Sequence, residues 1–258
     1  MKKFYYISFI LLAFSFLYAQ NDFIKQGDFY FNKRNEILDK NKAIENINKA
    51  IENYQKAADE NLDEISIYKL TKAIDFKYNF LANEGYHQEK WDIFKSLIEK
   101  INKFCEKKDC NKSKYIVYSR AILTGRFGEL MNVMEAASEG IASKIKDDAE
   151  RLLKLDDAFE NYAAYIILGR LHYKAPNIIF LLTWPDKKKS KEYLEKYLEK
   201  VPESLTGIYY YADTLYELGE KEKANDLYKK VLNTKPRKNF YYEDKKAKEE
   251  VSMKFRNQ

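Results

Sequence analysis

The sequence is short of the residues that interrupt regular structure, because its 258 residues include only 8 glycines and 4 prolines. An all-β fold needs frequent turns, and these two residues are their usual formers, so their scarcity argues against such a fold. The only histidines, His87 and His172, show no metal-binding spacing with the 2 cysteines. Gly-x-Ser-x-Gly, phosphate-loop and His-Glu-x-x-His motifs are also missing. We therefore predict no catalytic site, no metal and no cofactor, and we do not expect an enzyme.

Neither sign of charge dominates the sequence. It has 46 basic and 40 acidic residues, and loss of Lys2 and Lys3 with an N-terminal segment would lower its net charge from +6 to +4. Such a mixed surface is not typical of a nucleic-acid-binding protein. The acidic pairs Asp147-Asp148 and Asp156-Asp157 are expected on solvated helix faces or helix ends.

Residues 1–19 have the pattern of an export signal. Two lysines precede an apolar run from Phe4 to Tyr18, and the small residue Ala19 follows. This order is typical of a signal peptide cleaved after Ala19, and the run is shorter than the ~20 residues that span a bilayer. An uncleaved anchor is the alternative. We expect a periplasmic or secreted bacterial protein.

The predicted export affects the expected oxidation state of the only two cysteines in the sequence. Cys105 and Cys110 flank a short polar stretch, and in an oxidising compartment they can close a disulfide loop. Two free thiols are the alternative, and we favour the disulfide.

Apolar residues recur with a period of 3.6 in almost every segment after residue 19, which predicts amphipathic helices. Short connections between them favour antiparallel helix pairs. We predict an all-α fold, an α-α superhelix that occupies residues 20–258 as a single domain. Residues 241–256 are expected to form a polar helix that caps the open end of the repeats.

The repeat pattern is clearest near the C-terminus. Pro202 and Pro236 are 34 residues apart, which is the period of the tetratricopeptide repeat. Before these prolines, Ser190 aligns with Ala224 and Leu194 aligns with Tyr228, so that each segment offers a small residue and then a large one. The sequence thus resembles the tetratricopeptide repeat family, with its clearest units at 159–202 and 205–236.

One connection departs from the repeat pattern. Residues 175–186 contain Pro176 and Pro185, so they cannot form a continuous helix. Exposure of all their apolar side chains would be unfavourable. The segment either packs on its own helices, contacts another subunit or edges an apolar ligand cavity. Consecutive residues cannot share a helical face, so at least one ring of the Tyr209–Tyr211 run should also face a partner. The predicted partner- or ligand-binding residues are Ile178, Ile179, Phe180, Leu181, Leu182, Trp184, Tyr209 and Tyr210.

A narrower resemblance covers residues 115–236. The order Leu168-Gly169-Arg170, the apolar insertion and the lysine-rich segment after Asp186 are similar to the TatT component of TRAP transporters, as is Gly125-Arg126 upstream. This resemblance implies a periplasmic, trimeric repeat protein that associates with the transporter's solute-binding subunit and handles a hydrophobic ligand. The alternative is a periplasmic protein that binds a lipid-like small molecule on its own.

Overall fold

The structure, a computed structural model, describes residues 20–36, 38–82, 87–176, 178 and 182–256. These residues form twelve α-helices and no β-strand, with one isolated antiparallel bridge between Ile178 and Leu182. The predicted all-α class is therefore confirmed, whereas the predicted signal peptide lies outside the described residues.

The chain divides into two compact units, one up to Ser119 and one from Arg120 onwards. The single repeat domain over residues 20–258 stays a prediction.

The first unit contains four helices and the start of a fifth. They are α1 (residues 20–33), α2 (Lys40–Glu60), α3 (Glu64–Phe76), α4 (His87–Cys105) and α5 (Lys114–Gly128), which crosses the division. A π-helical turn, Lys77–Leu81, extends α3. Helix α3 begins at a capping box, in which Asp63 accepts the Ser66 N–H at 2.7 Å and Ser66 Oγ accepts the Asp63 N–H at 3.3 Å.

Helices α1 and α2 approach each other at Gly27. A Cβ added to Gly27 would lie 2.3 Å from Tyr54 Cε1, so only a glycine leaves room for this ring. The Tyr54 side chain is buried, and its OH donates to Asp28 Oδ1 at 2.7 Å. A small residue on one helix thus accommodates a large residue on the next.

Cys105, the last residue of α4, is joined to Cys110 in a disulfide with a Cα–Cα distance of 5.4 Å. This is the bond that the sequence favoured over two free thiols.

The second unit continues with α6 (Val133–Ser138), α7 (Ile141–Leu155), α8 (Phe159–Lys174), α9 (Lys187–Lys200), α10 (Leu205–Glu217), α11 (Lys221–Asn233) and α12 (Tyr241–Arg256). From α7 to α12, each helix packs against the next. Helix α12 also packs against α10 and buries Ala247 and Val251, as expected of a helix that covers the end of a stack.

Small residues lie where the helices of the second unit approach each other. A Cβ added to Gly169 in α8 would lie 2.5 Å from Leu194 Cγ in α9, and one added to Gly207 in α10 would lie 2.5 Å from Tyr197 Cε1. The aligned small residues Ser190 and Ala224 are both fully buried. The small-then-large pattern of the sequence therefore corresponds to close helix packing.

Helix α8 begins with a break in its backbone. Glu160, Asn161 and Tyr162 have φ values of 49°, 54° and 62°, in the left-handed region that is unfavourable for residues with a Cβ. The apolar periodicity gave no indication of this break.

The expectation that Asp148 lies on a solvated face is wrong. This side chain is buried, and Arg120 of α5 donates to it from Nε at 2.8 Å and also from Nη2. Its position one turn after Ile145 places it on the buried side of α7. Asp147, its neighbour, is exposed as expected.

Candidate functional site

The apolar connection between α8 and α9 is described only in part. Ile178 and Leu182 exchange two backbone hydrogen bonds, of 2.8 and 2.7 Å, and so form an isolated antiparallel bridge. Leu182 is buried and Ile178 is half-buried. Three predicted site residues, Ile179, Phe180 and Leu181, lie outside the described residues.

Trp184, two residues after Leu182, packs on helices of its own unit. Its ring lies edge-on to His172 of α8, with centroids 5.1 Å apart, and Lys146 Nζ of α7 lies 5.6 Å from its centroid. The Asp186 N–H donates to Nδ1 of His172 at 3.2 Å, which fixes the end of the connection to α8. These contacts favour the interpretation that this part of the segment packs on its own helices. A partner-binding role for Trp184 stays a prediction.

Tyr209 and Tyr210 of α10 both lie beside Arg170 of α8. The guanidinium carbon of Arg170 is 5.5 Å from the centroid of Tyr209, 4.1 Å from that of Tyr210 and 4.8 Å from that of Tyr173. Tyr209 is buried, whereas Tyr210 and Tyr173 are half-buried. With Asp213 these residues form what we call the Arg170 cluster.

Helix α8 packs closely against α9 at Gly169, and Arg170 is the next residue along α8. This packing therefore fixes the position of Arg170 in the cluster. Its Nη1 donates to Asp213 Oδ2 at 2.9 Å, and the Arg170 side chain remains 19% exposed. Asp213 is the one acceptor that Arg170 has among the described residues. The remaining guanidinium N–H groups are donors that a bound acceptor group can use.

Asp213 joins four helices at the base of the cluster. Its carboxylate is 1% exposed and accepts from Arg170 of α8, from the Tyr228 OH of α11 at 2.7 Å and from Lys254 Nζ of α12 at 2.7 Å. Burial of a carboxylate costs several kcal/mol unless donors compensate, and here three donors do so. The ion pairs hold the guanidinium against the tyrosine rings.

The phenols of the cluster stay protonated at neutral pH. Burial, and then the charge of Asp213, raises the pKa of Tyr173 to about 12. Burial also raises the pKa of Tyr210, and the nearby arginines only partly oppose that rise. The cluster therefore offers a cation and neutral hydroxyl donors on aromatic rings, which suits it to binding rather than to proton transfer at neutral pH.

The sequence predicted the two tyrosines of α10 but not Arg170 or Asp213 as site residues. A usable signal did exist, since each charged residue directly follows a small buried residue, Gly169 or Ala212, in a largely apolar helix. The pairing of Arg170 with Asp213 was not visible, because 43 residues separate them.

The described residues show neither a metal site nor a membrane span. No group of three or more His, Cys, Asp or Glu side chains is arranged to hold a metal ion in the part of the chain that the structure describes. Among the helices of that same part, none is both long and apolar enough to cross a membrane.

In comparisons with known proteins, no family model matches the chain, and no curated protein matches it either.

Proposed function

We propose that this chain is an exported helical-repeat protein that binds a partner protein through the Arg170 cluster and has no catalytic activity of its own. The observation that carries the proposal is the half-buried guanidinium of Arg170 among three tyrosine rings, with N–H groups left for a ligand. Arginine and tyrosine are enriched in the energetically dominant parts of protein interfaces. The ion pairs of Asp213 orient this cation before a partner arrives, which reduces the entropic cost of binding.

Within this proposal, the partner is the solute-binding subunit of a TRAP transporter and the chain acts in the periplasm as a TatT-like accessory subunit. The support is the resemblance over residues 115–236 and the export signal in the sequence. A hydrophobic ligand and a trimeric assembly belong to the same proposal.

Site-specific photo-crosslinking in the living cell tests the partner. A benzophenone amino acid replaces Tyr210 in one variant and Lys229 in a control variant, since Lys229 is an exposed residue of α11. We expect the residue-210 variant to form an adduct with the solute-binding subunit and the residue-229 variant to form none.

Three outcomes would contradict the proposed partner: no adduct from either variant, equal adducts from both, or adducts only with lipid. The last result would instead favour a protein that binds a lipid-like molecule on its own. With purified components, Arg170→Ala should weaken binding of the solute-binding subunit by at least about tenfold, as expected for a central interface arginine.

A further inference from the structure

Arg170 uses only one edge of its guanidinium within the fold. Its Nη1 donates to Asp213 Oδ2 at 2.9 Å, and Asp213 also pairs with Lys254, so two cations share one carboxylate. Nε and Nη2 of Arg170 have no acceptor among the described residues, and both keep contact with solvent. The N–H groups on this second edge of a guanidinium are parallel, and their spacing matches the two oxygens of a carboxylate.

A carboxylate without an ion pair lies near the same tyrosine rings. Glu250 of α12 is half-buried and has neither a hydrogen bond nor an ion pair among the residues that the structure describes. It lies one helical turn before Lys254, whose Nζ is 5.7 Å from the centroid of Tyr209, so Glu250 is on the face of α12 that packs on α10. Burial raises the pKa of Tyr210, the charge of Arg170 opposes that rise, and the charge of Glu250 adds to it. Tyr210 therefore lies near both charges.

Two further charged groups near Tyr210 compensate each other. Arg126 and Glu129, whose charges also act on the pKa of Tyr210, are paired at 3.0 Å at the end of α5. A protein that binds over Tyr210 removes water from Arg170 and Glu250, and a charge that loses water without gaining a partner is unfavourable. Such a protein must therefore supply an anion to Arg170 and a cation to Glu250.

We infer that the Arg170 cluster recognises a segment of the partner protein that carries an acidic and a basic side chain close together. The acidic side chain binds the free edge of Arg170 in two parallel hydrogen bonds, and the basic side chain pairs with Glu250. Apolar side chains beside them pack on the half-buried rings of Tyr173 and Tyr210. This inference rests on the proposed binding of a protein at this cluster, and it adds which residues of the partner are bound.

Short peptides test this inference without the partner protein. The probe acetyl-Leu-Glu-Leu-Lys-amide places its acidic and basic side chains on one face of an extended chain. Titrated into the purified protein, it should cause saturable chemical-shift changes in the backbone amides of α10, with a dissociation constant in the millimolar range. A Gln in place of the Glu should weaken binding about tenfold, and norleucine in place of the Lys should weaken it about fivefold.

Variants of the protein assign each contact. Arg170→Lys keeps a cation beside Asp213 but lacks the paired N–H groups, so it should weaken the Glu peptide about tenfold and leave the Gln peptide unaffected. Glu250→Gln should weaken the parent peptide about fivefold and leave the norleucine peptide unaffected. Glu249→Gln is the matched control, because Glu249 is the preceding residue of α12 and its side chain is 58% exposed. This control should bind every peptide as the natural protein does.

Equal binding of the Glu and Gln peptides, no binding of either, or equal losses in the Glu250 and Glu249 variants would overturn the inference. Circular dichroism checks that Arg170→Lys stays helical, and if it does not, the two peptides compared on the natural protein decide. Discrimination between the peptides without an adduct to the solute-binding subunit would refute that partner and leave this inference standing. An adduct without discrimination would overturn this inference alone.

Discussion

Gly169 and Gly125 each precede an arginine on a helix, yet their surroundings differ. A Cβ at Gly169 would lie 2.5 Å from Leu194 Cγ, in a fully buried side chain that has no room to withdraw. We expect Gly169→Ala to lower the free energy of unfolding by about 1–3 kcal/mol, as is typical of overpacking in a core. Urea denaturation followed by circular dichroism measures this change.

Gly125→Ala is the matched control for that prediction. A Cβ there would lie 3.8 Å from Ile145 Cδ1, an ordinary contact distance. Because alanine also favours the helical backbone over glycine, the control should gain about 0.4–1 kcal/mol of stability. Opposite signs for the two variants are the expected result, and equal effects would mean that α8 and α9 do not approach closely at Gly169.

At the level of single residues, the sequence predicted contacts that depend on residue size better than contacts that depend on charge. Ser190 and Leu194 were identifiable as a small and a large residue at repeat spacing, and both are buried. Asp148 looked solvated because charged residues surround it in the sequence, and only the fold places Arg120 beside it. Ion pairs between distant helices leave no periodic pattern.

The connection between α8 and α9 is fixed by a histidine that must be neutral. Nδ1 of His172 accepts the Asp186 N–H, and a proton on this nitrogen would remove the acceptor. Burial, and then the positive charge of Lys189 and Lys146, lowers the pKa of His172, although Asp186 and Glu150 oppose that effect. An unfolded chain has a histidine pKa of about 6.5 and so binds the proton more readily than the fold does. The stabilisation from His172 is therefore complete above that pH and is lost as the pH falls below it.

Comparison with two variants isolates this contribution. The difference in unfolding free energy between the natural protein and His172→Gln should shrink as the pH is lowered from 8 to 5. His87→Gln, at an exposed histidine in the first turn of α4, is the comparison variant for the loss of a histidine elsewhere in the chain. A difference for His172→Gln that does not change with pH would show that Nδ1 does not hold the connection.

The sequence predicted the helices themselves well and their irregular turns poorly. The sequence marked residues 241–256 as a helix, and in the structure this helix has the same bounds, Tyr241–Arg256. The π-helical turn at Lys77–Leu81 and the left-handed residues at the start of α8 were not predicted. Local propensity disfavours both, so packing against other elements must stabilise them, and a single sequence does not reveal that packing.

For the whole molecule, the described part of α1 begins at Gln20, directly after the predicted cleavage site. Gln20 is buried, and its Nε2 donates to the Asn61 carbonyl at 3.0 Å and to Asp63 Oδ2 at 2.7 Å, at the junction of α2 and α3. Cleavage after Ala19 retains all these contacts. We therefore predict that the exported protein begins at Gln20, which N-terminal sequencing and intact mass can establish. An exported chain that still begins at Met1 would favour the uncleaved anchor.

The same contacts predict how the shortened chain responds to mutation. In a chain of residues 20–258, Gln20→Ala leaves the Asp63 carboxylate without this donor at the cap of α3, at a cost of about 1 kcal/mol. For a chain of this length, that cost corresponds to a loss of roughly 2–4 °C in Tm. Gln26→Ala removes an exposed glutamine bonded only to Asp22 within α1, and its Tm should change by less than about 1 °C. If both variants have the same Tm as the unsubstituted shortened chain, Gln20 does not join α1 to the α2–α3 junction. In that case, cleavage at a later residue would not destabilise the fold.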